Sequence, residues 1–180
     1  VYNVQESKKA LLEAYDTFVQ KRENKDSLPE AERRGIERLE SDFQEFKETK
    51  GKEQEKNALY NILTDINGND YWPNWSSETD KNLFATSRLN ELRESHKKEI
   101  DSFLFSQMLA KKTIEKGHQT LQNNGIKGIG DIPVAFSDAE VWGNKDLFLD
   151  DLRMGCKEPW SDKPQKWGFF VLDPKKLFNQ

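Results

Sequence analysis

One stretch of the sequence decides the predicted fold class: Gly125-Ile126-Lys127-Gly128-Ile129-Gly130-Asp131-Ile132-Pro133-Val134. It follows a helical run that must end near Asn123, where Gly125 can adopt the left-handed conformation that closes a helix. The isoleucines predict a short buried strand, and the proline indicates that strand pairing ends there. A helix, a glycine-closed turn and a buried strand predict an α/β unit. Asp131 would then lie at the carboxyl end of a parallel strand, where chemistry is concentrated in such folds; capping a turn is its alternative role.

The composition predicts a helical chain with a sparse core. Charged residues make up 33% of the 180 residues and hydrophobic residues 34%, below the share usual in globular domains. Such a chain builds thin helical layers or completes its core with residues of a longer protein. The chain begins with Val1, and helical spacing is already established near Lys8, so we expect a cut or processed piece.

Charge, cysteine content and hydropathy argue against several functional classes. The net charge is −4 and both signs are interspersed, so no nucleic-acid partner is predicted. Cys156 is the single cysteine, which excludes an intrachain disulfide and a cysteine-rich metal site and favours a reducing, cytoplasmic location. No apolar run approaches the roughly 20 residues of a membrane span, so no membrane partner is predicted. We predict neither a metal nor a cofactor.

Residues 1–75 are predicted to form a charged helical region. Apolar residues recur at helical spacing in three stripes, which are Leu11-Leu12-Tyr15-Phe18-Val19, Ile36-Leu39-Phe43-Phe46 and Leu59-Ile62-Leu63-Ile66. A turn at Ser27-Leu28-Pro29 separates the first two helices, and Asn67-Gly68-Asn69 ends the third. We interpret the stripes as packing faces, and the first two could also form a small coiled coil. Residues 76–123 follow as one long helix or two in sequence, capped by Ser76 or Ser77.

A second candidate segment carries two tryptophans in a loop that is rich in polar residues. It reads Trp160-Ser161-Asp162-Lys163-Pro164-Gln165-Lys166-Trp167-Gly168-Phe169. Aromatic rings stack on the apolar faces of pyranose rings, and glutamine or aspartate side chains can bridge neighbouring hydroxyls. The segment therefore favours glucan binding, and pinning of the loop onto a core by both rings is the alternative.

Several motifs, in the same order, resemble glycoside hydrolase family 77. The third-strand block of that family is similar to Gly125–Val134 followed by Ser137-Asp138-Ala139-Glu140-Val141-Trp142, Asn144 and Leu147-Phe148. The loop that folds over the family's active site resembles Gln165-x-Trp167-Gly168 followed by Asp173-Pro174. Further matches upstream are Ala58-Leu59-Tyr60, Trp72-Pro73-Asn74-Trp75 and Phe103-x-Phe105-x-Gln107. The resemblance covers residues 57–178, and residues 1–56 match nothing beyond a helical insert.

The resemblance implies an α/β fold class: part of a (β/α)₈ TIM barrel, around strand three, preceded by a mainly α-helical insert. Residues 1–75 would be the charged helical insert. Residues 76–180 would supply a helix, the third barrel strand and the loop that covers the active site. The family transfers α-1,4-glucan segments, so α-1,4-glucans, malto-oligosaccharides and the remainder of the parent barrel are the implied partners.

The resemblance also implies roles for individual residues. Asp131 would bind substrate beside the cleavage point, and Gln165 and Trp167 would contact glucan from the covering loop. Trp142 is expected to pack behind the third strand and not to touch sugar. The chain departs from the family pattern at Cys156-Lys157-Glu158-Pro159, where the family often has Pro-Pro-Asp, and at Pro164, which replaces a glycine.

Catalytic residues are not expected within this chain. Retaining glycosyl transfer needs two carboxylates about 5–5.5 Å apart, and in the family they lie on strands four and five, with a third carboxylate after strand seven. Asp150-Asp151 and Asp138/Glu140 are pairs by sequence, but neighbouring side chains point apart, so turn and cap roles are expected. We predict that the chain alone has no transferase activity. A truncated glucan-binding relative and a helical interaction module are the alternatives.

Overall fold

The structure, a computed structural model, describes residues 4–131, 135–157 and 163–177. The chain divides into two compact units, here called unit 1 (residues 1–59 and 89–129) and unit 2 (residues 60–88 and 130–180). The predicted division at residue 75 separates a helical insert from the part that carries the third strand and the covering loop. That division stays a prediction.

Helices dominate the part of the chain that the structure describes. They are α1 Val4–Glu23, α2 Glu30–Asn67, α3 Glu78–Lys81, α4 Arg88–Ser95, α5 Lys97–Asn123, α6 Asp138–Gly143 and α7 Pro174–Leu177. Two strands, β1 Phe148–Cys156 and β2 Gln165–Leu172, form an antiparallel sheet. Among the described residues, none of the helices has the length and apolar content that a membrane crossing requires.

Unit 1 is held together by an aromatic cluster between three helices. Tyr15 and Phe18 come from α1, Phe43 from α2 and Phe105 from α5, and all four are buried. Phe18 and Phe105 stack with ring centroids 4.6 Å apart, and Phe43 meets Phe105 edge-on at 5.4 Å. Such pairs contribute about 0.5–1.5 kcal/mol beyond the area that they bury. The first two predicted stripes are therefore confirmed as packing faces, except at Leu11, which is 44% exposed. In the third stripe Leu59 and Leu63 are buried, and Ile66 is 48% exposed.

The helix boundaries differ from the prediction in two places. Residues 76–123, predicted as one long helix or two, contain three helices, α3, α4 and α5. The second and third predicted helices are one helix, α2, because neither proline nor a capping sequence interrupts the chain between the stripes. Gly51 lies inside this helix, where a Cβ would meet Lys47 Cβ at an ordinary 3.7 Å. Ser77 caps α3 by accepting from the Asp80 N–H, as predicted. The predicted left-handed Gly125 is also confirmed, with φ of 70°.

Unit 2 has a core of large aromatic side chains. Trp75 and Trp142 are 1% and 2% exposed, and their rings meet at 5.9 Å. Tyr60 packs on both rings and donates its hydroxyl to the Asp70 carbonyl. Burial, assisted by the nearby Asp138 carboxylate, raises the pKa of Tyr60 to about 12. A second cluster, Val141, Phe148 and Phe170, joins α6 to the sheet.

The predicted α/β barrel architecture is not seen in this chain, whose described part is mostly helical with one two-stranded sheet. Residues 126–131 of the predicted third strand form no strand, and Ile126 and Ile129 are 54% and 99% exposed. Residues 132–134 lie outside the described residues. The physical reason is pairing: a parallel strand needs neighbours on its edges, and the only sheet among the described residues is the β1–β2 hairpin.

Candidate functional site

The β1–β2 hairpin is interrupted twice. Its paired residues are Phe148↔Leu172, Leu149↔Val171, Arg153↔Phe170, Gly155↔Lys166 and Cys156↔Gln165. Residues 150–152 of β1 therefore have no counterpart on β2, and residues 167–169 of β2 face only one residue of β1. Such β-bulges bend a strand and re-aim its side chains, and they recur beside active sites.

The second bulge carries Trp167 and brings it together with Gln165. The Trp167 Nε1–H donates to Gln165 Oε1 at 2.9 Å. Gly168, inside the bulge, has φ of 78°, a conformation that favours glycine. Trp167 and Phe169 are 44% and 42% exposed. The arrangement offers an apolar ring face beside a carboxamide, which suits a ligand with apolar faces and hydroxyl edges.

This geometry changes the interpretation of the predicted tryptophan loop. Residues 165–169 belong to β2, so they are part of a hairpin and not of a free loop. Trp160, Glu158 and residues 159, 161 and 162 lie outside the described residues. Trp142, expected to be a packing residue, is buried and donates its Nε1–H to the Asp80 carbonyl at 3.0 Å.

Asp131, the other candidate residue, lies on irregular backbone and is exposed. Within residues 4–131, 135–157 and 163–177, no hydrogen bond or ion pair joins Asp131 to Gln165 or Trp167. The structure therefore brings together two of the three predicted substrate contacts.

A row of two stacked rings with a cation at each end supports the bulged face of the hairpin. The Arg153 guanidinium carbon lies 3.7 Å from the Phe170 ring centroid, and Phe170 stacks on Trp72 at 5.9 Å. The Lys145 Nζ lies 4.8 Å from the Trp72 centroid and donates to the Lys81 carbonyl at 2.7 Å. Burial lowers the pKa of Lys145. Each cation–π contact stabilises the row by about 0.5–2 kcal/mol.

A comparison with known protein families decides the affiliation of the chain. Residues 2–180 match the glycoside hydrolase family 77 model, described as 4-alpha-glucanotransferase. The chain belongs to this family. The resemblance inferred from the motifs is thereby confirmed, and it extends through residues 2–56, which the motifs left unassigned.

Two plant relatives of this family are similar to the chain. It is 32% identical over 116 residues to "4-alpha-glucanotransferase, chloroplastic/amyloplastic" of Solanum tuberosum, covering 59% of this chain and 20% of that protein. It is 34% identical over 132 residues to "4-alpha-glucanotransferase DPE1, chloroplastic/amyloplastic" of Arabidopsis thaliana, covering 68% of this chain and 23% of that protein. The chain thus spans about a fifth of the length of the relatives it matches.

The two carboxylate pairs noted in the sequence, Asp138/Glu140 and Asp150/Asp151, lie in a helix cap and in a β-bulge. Glu140 completes a capping box, because its Oε2 accepts from the Ser137 N–H at 2.8 Å. Burial, and in second place the Asp70 carboxylate, raises the pKa of Asp138. Asp150 and Asp151 are exposed in the first bulge. Among the described residues, no group of three or more His, Cys, Asp or Glu side chains is arranged to hold a metal ion.

Reasoning from sequence missed the hairpin and the residues that shape it. A sequence pattern for the hairpin was present. Two short runs with aromatic and aliphatic residues, Phe148–Cys156 and Gln165–Leu172, are separated by a proline-containing connection, as is typical of paired strands. The bulges had no such signal, since they follow from cross-strand register and not from composition. Gly155 and Arg153 could not be singled out without that register.

Proposed function

We propose that this chain is a segment of a 4-α-glucanotransferase, in which it supplies contacts to the α-1,4-glucan chain. The single observation that carries the proposal is the exposed Gln165–Trp167 pair, with Trp167 on the second bulge and Gln165 two residues before it, at the motif that resembles the family's covering loop. Trp167 is 44% exposed, and its hydrogen bond to the Gln165 carboxamide holds the ring beside polar atoms that can contact hydroxyls.

The proposed role is positioning of substrate. Trp167 stacks on the apolar face of a glucose unit, and Gln165 hydrogen-bonds the hydroxyls at its edge. Asp131 holds a hydroxyl near the cleavage point. These contacts lower the barrier by fixing the glucan relative to the reacting groups, which removes much of the entropy cost of transfer.

The chemical step of the complete protein is proposed to be a retaining double displacement. One carboxylate attacks the anomeric carbon of the donor glucan and displaces its reducing-end segment, whose leaving oxygen a second carboxylic acid protonates. The second group then removes a proton from the acceptor hydroxyl as the glycosyl-enzyme bond breaks. We assign neither role to this chain, because Glu140 is engaged in a helix cap and Asp150 and Asp151 lie side by side on one strand.

The partner of this segment is proposed to be the remainder of the parent barrel. Ile126 and Ile129 are exposed immediately before Asp131, and neighbouring barrel strands would bury both. Pairing would also turn residues 126–134 into the strand that the sequence predicts. A cytoplasmic location stays a prediction from the single cysteine, while both plant relatives are named chloroplastic/amyloplastic.

The proposal is tested by titrating the 180-residue chain with maltohexaose and following tryptophan fluorescence. We expect a saturable change in fluorescence. Trp167→Ala should weaken the affinity for maltohexaose at least about fivefold, since stacking on one ring contributes on the order of 1 kcal/mol. Tyr71→Ala is the matched control, because Tyr71 is a similarly exposed aromatic residue of unit 2, at 37%. Cellohexaose, with β linkages, controls for non-specific sugar binding.

Four outcomes would contradict the proposal or one of its parts. An unchanged spectrum with maltohexaose, or an equal response from Trp167→Ala, would remove Gln165 and Trp167 from glucan binding. Release of glucose from maltotriose by the pure chain would overturn the assignment of catalysis to residues outside it. Binding without transfer by the complete reading frame would favour a non-catalytic glucan-binding relative instead.

A further inference from the structure

Gly155 on β1 makes a close approach to the main chain of Gln165. A Cβ at Gly155 would lie 2.4 Å from the Gln165 carbonyl oxygen and 3.5 Å from its carbonyl carbon. Side chains do not tolerate a contact of 2.4 Å with backbone, so any residue other than glycine must push the Gln165 peptide away. Gly155 lacks a positive φ, so the requirement for glycine comes from this contact and not from its backbone torsion.

The contact is absent at Gly35, Gly51, Gly68, Gly117, Gly125, Gly128, Gly130 and Gly168. A Cβ built at Gly35, Gly117 or Gly130 would have nothing within 4 Å. Gly168 needs glycine for its positive φ, although the space around it is open. Gly155 is therefore set apart by its neighbour, and that neighbour is one of the two residues that form the candidate glucan contact.

Arg153, two residues earlier, fixes the other bulge. Its Nη1 donates to the carbonyls of Asp150 and Leu152, at 2.8 Å each. Its guanidinium also lies over the Phe170 ring, and Phe170 is buried in the core of unit 2. Arginine suits this role because its planar group donates in several directions and stacks at the same time. The bonds hold residues 150–152 looped out, and that loop sets the register in which Gly155 meets Lys166.

We infer that Gly155 and Arg153 are positioning residues for the Gln165–Trp167 pair. Arg153 locks the register of the hairpin, and Gly155 lets β1 approach the Gln165 peptide closely enough for Trp167 to be turned outward on the second bulge. Neither residue touches the glucan. The inference rests on the proposed function for its link to glucan, while the geometry that it describes exists without ligand.

The test uses the 180-residue chain with Gly155→Ala and Arg153→Lys. Gly117→Ala and Arg34→Lys are the matched controls, since Gly117 has open space around it and Arg34 pairs with Glu30 on the exposed surface of a helix. The first readout is the indole N–H resonance of Trp167, assigned by its loss in Trp167→Phe. In both test variants we expect this resonance to shift and its solvent exchange to accelerate about tenfold, because the bond to Gln165 Oε1 is lost or weakened.

The second readout is the affinity for maltohexaose. We expect it to fall about tenfold in Gly155→Ala, as displacement of a contact group by about 1 Å can cost that much or more. Both controls should leave the resonance and the affinity unchanged. A role in folding alone would lower the unfolding midpoint without moving the indole resonance of the folded chain.

The outcomes separate this inference from the proposed function. An unmoved indole resonance in folded Gly155→Ala, or an equal shift in Gly117→Ala, would overturn the positioning role. Should Gly155→Ala fail to fold, as judged by circular dichroism, Arg153→Lys decides by the same resonance. Absence of maltohexaose binding by the unmodified chain would refute the proposed function, and the indole resonance would still decide whether Gly155 and Arg153 position Trp167.

Discussion

Replacement of Asp80 by asparagine should loosen unit 2 selectively, because this carboxylate joins several segments. Asp80 is 2% exposed, and its Oδ1 accepts from Arg88 Nε at 2.5 Å and its Oδ2 from Asn67 Nδ2 at 3.0 Å. Its N–H donates to Ser77 Oγ, and its carbonyl accepts the indole N–H of Trp142. Asparagine keeps the shape and both backbone bonds but removes the charge and one acceptor.

The expected cost follows from the burial of the two partners. Loss of one partner from a fully buried ion pair destabilises a protein by about 3–5 kcal/mol. The Arg88 side chain is 33% exposed, and water screens it in part, so we expect about 2–3 kcal/mol for Asp80→Asn. For a chain of this size that loss corresponds to a fall in Tm of about 5–10 °C.

The assay is urea unfolding followed by tryptophan fluorescence, combined with native-state hydrogen exchange. Asp146→Asn is the control, since Asp146 is an exposed carboxylate of the same unit. We expect the amides of α6 and β2 to lose protection in Asp80→Asn and those of α1 to keep it. A change in the free energy of unfolding below about 0.5 kcal/mol, or an equal effect of Asp146→Asn, would refute the reasoning.

Three further predictions concern stability. Phe105→Ala should cost about 3–5 kcal/mol in urea unfolding because it opens the aromatic cluster of unit 1, while Ile114→Ala, at a residue 58% exposed, should change stability by less than about 0.5 kcal/mol. The pKa of Tyr60 is about 12 in the folded chain against about 10 unfolded, so its stabilising effect is complete below pH 10 and is lost as the pH rises through 12. Tyr60→Phe should therefore reduce the fall of the urea midpoint between pH 9 and pH 12, and an unchanged fall would contradict this. Ser137→Ala should cost about 1 kcal/mol through loss of the cap of α6, and Ser137→Asp should restore most of it, as measured by thermal unfolding.

Local features of the fold were predictable from the sequence, because their causes are local. Helix faces follow from the spacing of apolar residues, and Phe18 and Phe43 lie in the core for that reason. The cap at Ser77 and the left-handed turn at Gly125 follow from the chemistry of single residues. The merging of two predicted helices into α2 shows the limit of this reasoning, since two separate apolar stripes can lie on one continuous helix that tolerates Gly51.

The candidate site was predictable only as a set of residues. Gln165 and Trp167 were identified by motif, but their hydrogen bond and outward orientation depend on pairing with a strand that precedes them by about ten residues. A one-residue change of register would turn Trp167 to the other face. That register depends on Arg153, Gly155 and the core contact of Phe170, none of which forms a recognisable spacing in the sequence.

Exposure has two different causes in this chain, and they predict different behaviour for the candidate residues. Trp167 is exposed because local geometry directs it outward, through the bulge and the positive φ of Gly168. Ile129 is exposed next to Asp131 because no strand among the described residues pairs with that segment.

We therefore expect the 180-residue chain to bind maltohexaose through Trp167 and not through Asp131. Asp131→Asn should leave the affinity of this chain unchanged within twofold, whereas in the complete protein it should weaken binding at least about tenfold, since a buried hydrogen bond to a charged group contributes about 1.5–3 kcal/mol. An equal loss of affinity in the 180-residue chain and in the complete protein, measured by calorimetry, would mean that Asp131 is already in place. The rest of the barrel would then not be needed to position it.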